Sequence, residues 1–322
     1  MSERSLVIGV DLGGTNMQIG VVDAQNRVLG QEKRKTKAEQ GADAIVDRLA
    51  RGIAKACEIA GASLGEVRAV GIGAPGAIDY AQGVVIEAPN LGWRDFPLAE
   101  RLSAALGGRP VLLDNDVNVA VYGENKLGAG KDARDLLGVW VGTGVGGGLV
   151  LNGSLYYGGF GTAGEIGQMI LFPRAALGHR TVEESCSRKN VVARISRLAA
   201  AQHRTMLSEL TEDMEDIGAG TVAKAYEMGD DLTRRVVNEA ADLLGDAIGS
   251  CVTLLALPRV ILGGGLTEAL GQPFVERVAT AARAVVFPTR LRAVEFAATT
   301  LEDRAGLLGA ALLAREKFVS AA

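Results

Sequence analysis

The feature that most restricts this chain is its glycine, 43 residues in 322, gathered in clusters that follow short β-rich runs. Glycine lets backbone turn sharply or approach another group closely, so each cluster marks such a place. Leu6 to Leu12, Ile19 to Val22 and Val28 to Lys33 read as three antiparallel strands, with Gly13-Gly14 at the first turn. Ile45, Val46, Leu49, Ile53, Ala56 and Ala60 then recur at helical spacing and stop at Gly61. Val67 to Ile72 reads as a strand, residues 97 to 106 as a helix, and Val111 to Leu113 as a strand ending at Asp114-Asn115-Asp116. The second half opens the same way, with Leu136 to Val141 and Gly148 to Leu151 forming a hairpin around a glycine turn at 142 to 147. Helices follow, the longest from Thr233 to Leu257, stopped by Pro258 ahead of a strand at Arg259 to Leu262 and the triplet Gly263-Gly264-Gly265. Two glycine-turn hairpins, each opening an α/β unit, predict an α/β protein of duplicated, two-lobed architecture with a cleft between the lobes.

Several function classes fall away on composition. A net charge of −4 leaves no electrostatic footprint for nucleic acid or an anionic membrane, and the run Lys33-Arg34-Lys35 reads as a solvated strand end. The three cysteines, Cys57, Cys186 and Cys251, are widely spaced and odd in number, which points to a reducing compartment, the cytoplasm. The uncharged stretch from Leu136 to Gly164 is long enough to span a membrane, but its glycines, Asn152 and Ser154 would ruin a helix, so it reads as hairpins.

The glycine turns carry the candidate chemistry. In Asp11-Leu12-Gly13-Gly14-Thr15-Asn16 the glycines can present backbone N–H groups to phosphate oxygens, while Asp11 can reach a Mg²⁺ directly or through water. An ordinary hairpin with a capping Asp is the competing reading. Gly142 to Gly148 and Gly71 to Gly76 both match G-x-G-x-x-G, yet a strand follows the first and a proline-containing loop the second, so neither is a dinucleotide fingerprint. No G-K-[S/T] follows either, which excludes a Walker phosphate loop. Gly263 to Gly265 suits close approach of a nucleotide base or ribose, or a plain strand-to-helix turn. At the end of a buried strand, Asp116 can accept a hydroxyl proton while Asn115 positions the same substrate. Asp114 reads as a helix-capping residue and Asn118 as the N-cap of the next helix.

Eight motifs in register go further: D-L-G-G-T-N, G-x-G-A-P-G-x-I-D, A-P-N-L-G-W, D-N-D-V-N, G-T-G-V-G-G-G, G-E-I-G, G-G-G and A-G-L-L-G-A-A. From Asp11 to about Leu313 this order resembles the ROK family of sugar kinases and repressors, within the actin-like ATPase superfamily. The resemblance implies the two-lobed, ribonuclease H-like fold: a small lobe at residues 1–116 completed by a C-terminal helix at about 304–322, and a large lobe at 117–303. It implies an ATP-dependent hexose 6-kinase using Mg²⁺, with glucose favoured and Asp116 as base, acting as a homodimer. Kinases for N-acetylmannosamine, N-acetylglucosamine, fructose or allose share the motifs, and a non-catalytic sugar sensor or a repressor is the alternative class. Only ten residues precede Asp11 and they hold no basic helix, which speaks against a DNA reader.

Carried onto matching positions, the resemblance assigns sugar contacts to Gly76, Asn90, Asn115, Glu165 and Glu183, with Glu184 competing for the last role. Phosphate contacts fall on Gly13, Gly14, Thr15, Thr143 and Gly144, with Asn16 in the same turn, and adenosine contacts on Gly264 and Gly265. One departure concerns metal. The family's usual zinc histidine is replaced by Gln168, whose amide can serve a sugar hydroxyl instead, and the loop from Phe172 to Thr181 has no cysteine and only His179. A chain without structural zinc is therefore expected.

Overall fold

The computed structural model describes residues 5–211, 214 and 217–319. In chain order the elements are β1 (Leu6–Leu12), β2 (Asn16–Val22), β3 (Val28–Lys35), α1 (Ala42–Ile59), β4 (Val67–Ala74), β5 (Ala77–Asp79), β6 (Val84–Ala88), β7 (Trp93–Phe96), α2 (Leu98–Ala105), β8 (Val111–Asn115) and α3 (Asp116–Leu127). There follow β9 (Leu136–Val141), β10 (Val145–Leu151), β11 (Ser154–Leu155), α4 (Val182–Cys186), α5 (Arg188–Ala200), α6 (Leu207–Leu210), α7 (Ala219–Glu227) and α8 (Asp231–Leu255). The chain ends with β12 (Arg259–Gly263), α9 (Gly265–Leu270), α10 (Gln272–Val285), β13 (Glu295–Ala298) and α11 (Ala305–Phe318). Two compact units result. One takes in the chain up to Lys131 together with Tyr157–Ala163 and everything from Asp303 onward; the other is Asp132–Tyr156 with Gly164–Glu302.

The first unit is built on a five-stranded sheet of order β3-β2-β1-β4-β8. The hairpin strands pair antiparallel, and β1, β4 and β8 run parallel with Asp11 opposite Gly73 and Gly73 opposite Asp114. Apolar side chains of β1, β4 and α1, among them Ile8, Val10, Ile72, Leu49 and Ile53, form its core. Helix α11 is apolar all round from Ala305 to Ala314, and glycine lets it lie directly on the sheet. A Cβ on Gly9 or Gly71 would stand 1.9 Å from the carbonyl oxygen of Leu307 or Ala310, and one on Gly309 would stand 1.7 Å from that of Val119 in α3. Backbone is thus packed on backbone at these positions, which no other residue allows.

Between β4 and α2 lies an antiparallel sheet of order β5-β6-β7 that the sequence did not announce. Its strands are three to five residues long and alternate poorly between buried and exposed positions, so period-two patterning is too short to register. The second unit repeats the large-sheet topology with order β11-β10-β9-β12-β13 and its own core, in which Val236, Leu244, Ile248 and Val252 of α8 pack with Val260 and Leu262 of β12. Its hairpin turn is shorter than expected, since Val145, Gly146 and Gly147 already belong to β10 and pair with β9. No helix of the described residues is long and apolar enough to cross a membrane. The run Lys33-Arg34-Lys35 is not wholly solvated. Arg34 is half-buried, donating to Glu32 and to the carbonyl of Arg48.

Candidate functional site

In the first unit the parallel strands end together, and their last residues form a polar cluster. Asn115 caps helix α3, accepting hydrogen bonds from Val117 N at 2.9 Å and Asn118 N at 3.1 Å. Its amide donates to the carbonyl of Gly76 at 3.1 Å. The capping residue is therefore Asn115 rather than Asn118, because the helix starts at Asp116 on the end of the strand, with no intervening loop. Asp114 does not cap either. At 3% exposure it accepts from Asn118 Nδ2, from its neighbour's N–H at 2.7 Å and from the Tyr157 hydroxyl at 2.6 Å. Tyr157, itself stacked on Tyr80 at 4.2 Å, carries no spacing or motif signal that could have found it.

Asp116 is the first residue of α3. Burial pushes its carboxyl up to about 6, against the pull of hydrogen bonds from Val117 and Asn115. Gly73 lies beneath it, and a Cβ there would stand 2.3 Å from Val119 Cγ2 and 3.2 Å from the Asp116 Cα, so a side chain at that point of β4 would press on the first turn of α3. Asp11 is raised further, to about 7, first by burial and then by the charges of Asp116 and Asp303, with Lys33 opposing. Asp303 was not singled out from the sequence. It accepts from Lys33 and Gln18, and the Lys33 bond holds its carboxyl below the usual range. Carboxylates short of countercharge fit a divalent cation, whose charge would restore the ionised form of Asp11; Asp11 is the residue that would hold it, directly or through water.

The turn after β1 is closed by a bond from Gly13 N to Asn16 O at 2.9 Å, and Thr36 Oγ1 donates to Gly13 O. Thr15 and Asn16 are exposed there. A Cβ on Gly14 would touch that of the exposed Asn90 at 3.3 Å. Gly76 has φ +98° and no room for a side chain, since a Cβ would lie 2.1 Å from Glu87 O. Asp11, Gly13, Gly14, Thr15, Asn16, Gly76, Asn90, Asn115 and Asp116 thus all stand in this unit.

The remaining candidates stand in the second unit. At the turn Gly142-Thr143-Gly144, Glu183 Oε2 accepts from Val145 N at 2.8 Å, and a Cβ on Gly144 would lie 2.3 Å from that oxygen. Glu184 is spent elsewhere: it closes a capping box with Thr181, accepting the N–H groups of Arg180 and Thr181, whose bonds lower its pKa. The two neighbours are therefore not interchangeable. Arg188, which no motif marked, meets the other side of the turn. Its N–H donates to Gly142 O at 2.9 Å, Nη2 to Thr143 Oγ1 at 3.3 Å and Nη1 to Ile217 O at 2.8 Å. Gly264 caps α9 at φ +86°, and a Cβ on it would strike Val141 N at 2.7 Å, whereas the space beside Gly265 is open. Glu165 and Gln168 are exposed on a single turn of 3₁₀ helix.

After that turn, Ile170 bridges Thr181, Val182 N donates to Met169 O, and Leu171 and Phe172 both donate to Arg180 O. Arg180 also holds Ala175 O. Cys186 is buried, its thiol pushed up to about 12 by desolvation. Among the described residues no three metal-ligating side chains gather in one place.

Comparison with known proteins places the chain. The sequence model of the ROK family matches residues 7–317. A glucokinase of Halalkalibacterium halodurans is 32% identical over 98% of this chain and 97% of its own. An N-acetylmannosamine kinase of Salmonella paratyphi A is 28% identical over 96% and 98%. The crystal structure of a ROK family glucokinase from Streptomyces griseus, in complex with glucose and AMPPNP, superposes with a TM-score of 0.86 at 32% identity, covering 97% of this chain and 100% of that one.

Proposed function

The chain belongs to the ROK family, with the two-lobed actin-like ATPase fold of its structural relatives, and from that premise we propose that it is an ATP-dependent hexokinase that phosphorylates the 6-hydroxyl of glucose. The observation that carries the reading is Asp116, a carboxylate raised to about 6 at the start of α3, beside an Asn115 already tied to Gly76. A base with that pKa is ionised at neutral pH and basic enough to draw a proton from a hydroxyl under attack. The sugar oxygen attacks the γ-phosphorus, its proton passes to Asp116, and ADP leaves. Asn115, Gly76, Asn90, Glu165, Gln168 and Glu183 are assigned to hold the sugar. Gly13, Gly14, Thr15, Asn16, Thr143 and Gly144 are assigned to the phosphates, and Gly264 and Gly265 to the adenosine. Mg²⁺, when bound at Asp11, supplies positive charge against the phosphate oxygens.

Support for glucose is the identity to two glucokinases, one seen with glucose itself. The N-acetylmannosamine kinase keeps a second acceptor class in view. Selectivity among hexoses turns on contacts to one or two hydroxyls, so a panel is the test. Purified protein with ATP and Mg²⁺ should consume ATP fastest with glucose among glucose, mannose, fructose, allose, N-acetylglucosamine and N-acetylmannosamine. Greater kcat/KM on an N-acetylhexosamine would move the assignment to that class, and no ATP consumption with any sugar would leave a sensor. We place the protein in the cytoplasm, as a homodimer; sedimentation as a monomer at micromolar concentration would remove the second statement.

A further inference from the structure

We propose that Arg188 is a phosphate-binding residue that sets affinity for the polyphosphate tail of the nucleotide; the inference rests on the reading of the turn at 142–144 as a phosphate cradle. The turn is clasped from two sides. Glu183 takes the N–H of Val145, leaving a negative charge on one flank. Arg188 takes the other, through its own backbone N–H on Gly142 and its guanidinium on Thr143. A second anchor to Ile217 O fixes the guanidinium plane.

Those bonds use two of the five guanidinium N–H donors, and among the described residues no carboxylate pairs with the guanidinium. The remaining donors keep the planar fork that matches phosphate oxygens. Arg188 also begins α5, a helix of 13 residues, so the positive end of the helix adds the same sign at the same place. The glycines bring backbone N–H groups close to the nucleotide but carry no net charge, and Glu183 is repulsive to an anion. A fixed cation beside Thr143 offsets that repulsion and orients the threonine hydroxyl, whose oxygen is occupied as acceptor and whose proton is left free to donate.

A purely structural role would make the same bonds matter for another reason, as a staple between turn and loop. Glutamine separates the two, since it can still donate hydrogen bonds but has no charge. R188Q and R188A should each raise KM for ATP about 10- to 100-fold, the size of losing hydrogen bonds to a charged group. KM for the sugar should stay within about twofold, and R188K should fall between Gln and the native residue. Equilibrium binding of AMPPNP should weaken in parallel while binding of adenosine alone does not, which confines the loss to the phosphates. R188Q with native affinity for ATP and AMPPNP would overturn the proposal and leave a staple. So would equal losses for adenosine and AMPPNP. The binding arm needs no turnover, so it reads Arg188 even if the sugar panel shows no phosphorylation and the hexokinase reading fails.

Discussion

The two five-stranded sheets have one topology, and near the ends of their central parallel pairs Asp11 of β1 faces Gly73 of β4 while Trp140 of β9 faces Gly263 of β12. What stands at these places differs. In the first unit Gly73 leaves room for the start of α3, and the strand ends carry Asp11, Asp114 and Asp116. In the second unit the space above Gly263 is filled by the Trp140 ring, 2.6 Å from where a Cβ would be, and β13 runs into Thr299-Thr300. A repeated scaffold can therefore carry carboxylates at the strand ends of one copy and none at those of the other, because loop ends change without disturbing either core.

The sharpest way to break the comparison is to remove the acid. Asp116→Asn should lower kcat by about 10² to 10⁴ with little change in sugar binding, the size of a lost general base. Thr299→Ala, at the corresponding strand end of the second unit, should change kcat less than threefold by the same logic. Near-native kcat in the Asn variant would place the base elsewhere, with Asp114 the first alternative.

A smaller effect separates the helix layers. Gly71→Ala puts a Cβ 1.9 Å from the Ala310 carbonyl, and backbone cannot step aside; a loss of about 3 kcal/mol or more is expected, at the upper end of overpacking costs. Gly249→Ala in α8 meets first the end of the Val285 side chain, which is 49% exposed and can rotate away, although Ala282 O stands 2.8 Å off. The backbone contact sets the cost at about 2 kcal/mol, below that of Gly71→Ala because the closest backbone atom is 2.8 Å rather than 1.9 Å away. Thermal melts of the two variants measure the difference, and a larger drop for Gly249→Ala would reverse the ranking of the strand glycine over the helix glycine.

Least change of all is expected from chelation. The loop after Gln168 is closed by backbone bonds between residues 169–172 and 180–182. Elemental analysis should find no stoichiometric zinc, and activity in excess Mg²⁺ should survive treatment with a zinc chelator. One tightly bound zinc per chain, with activity lost on its removal, would show that these bonds do not suffice.

The sequence by itself determined β1 to β4, β8 to β10 and β12 together with α1, α2 and α8, because their apolar periods and terminating glycines and prolines are local signals, but it did not place β11, β13, α5 or α10. It also marked Asp11, Asn115 and Asp116, since an acid at the end of a buried strand is legible without knowing its neighbours. The small sheet β5-β6-β7 escaped, its strands being too short for a period to show. So did the separation of Glu183 from Glu184: both sit in the same helical turn, and only the fold shows one spent on Thr181 and the other turned to Val145. Asp303, Tyr157 and Arg188 lie 292, 43 and 45 positions from Asp11, Asp114 and Thr143, the residues they act on. Contacts over such separations are set by how sheets and helices pack, and electrostatics and hydrogen bonds act through space, so only the tertiary structure could decide them.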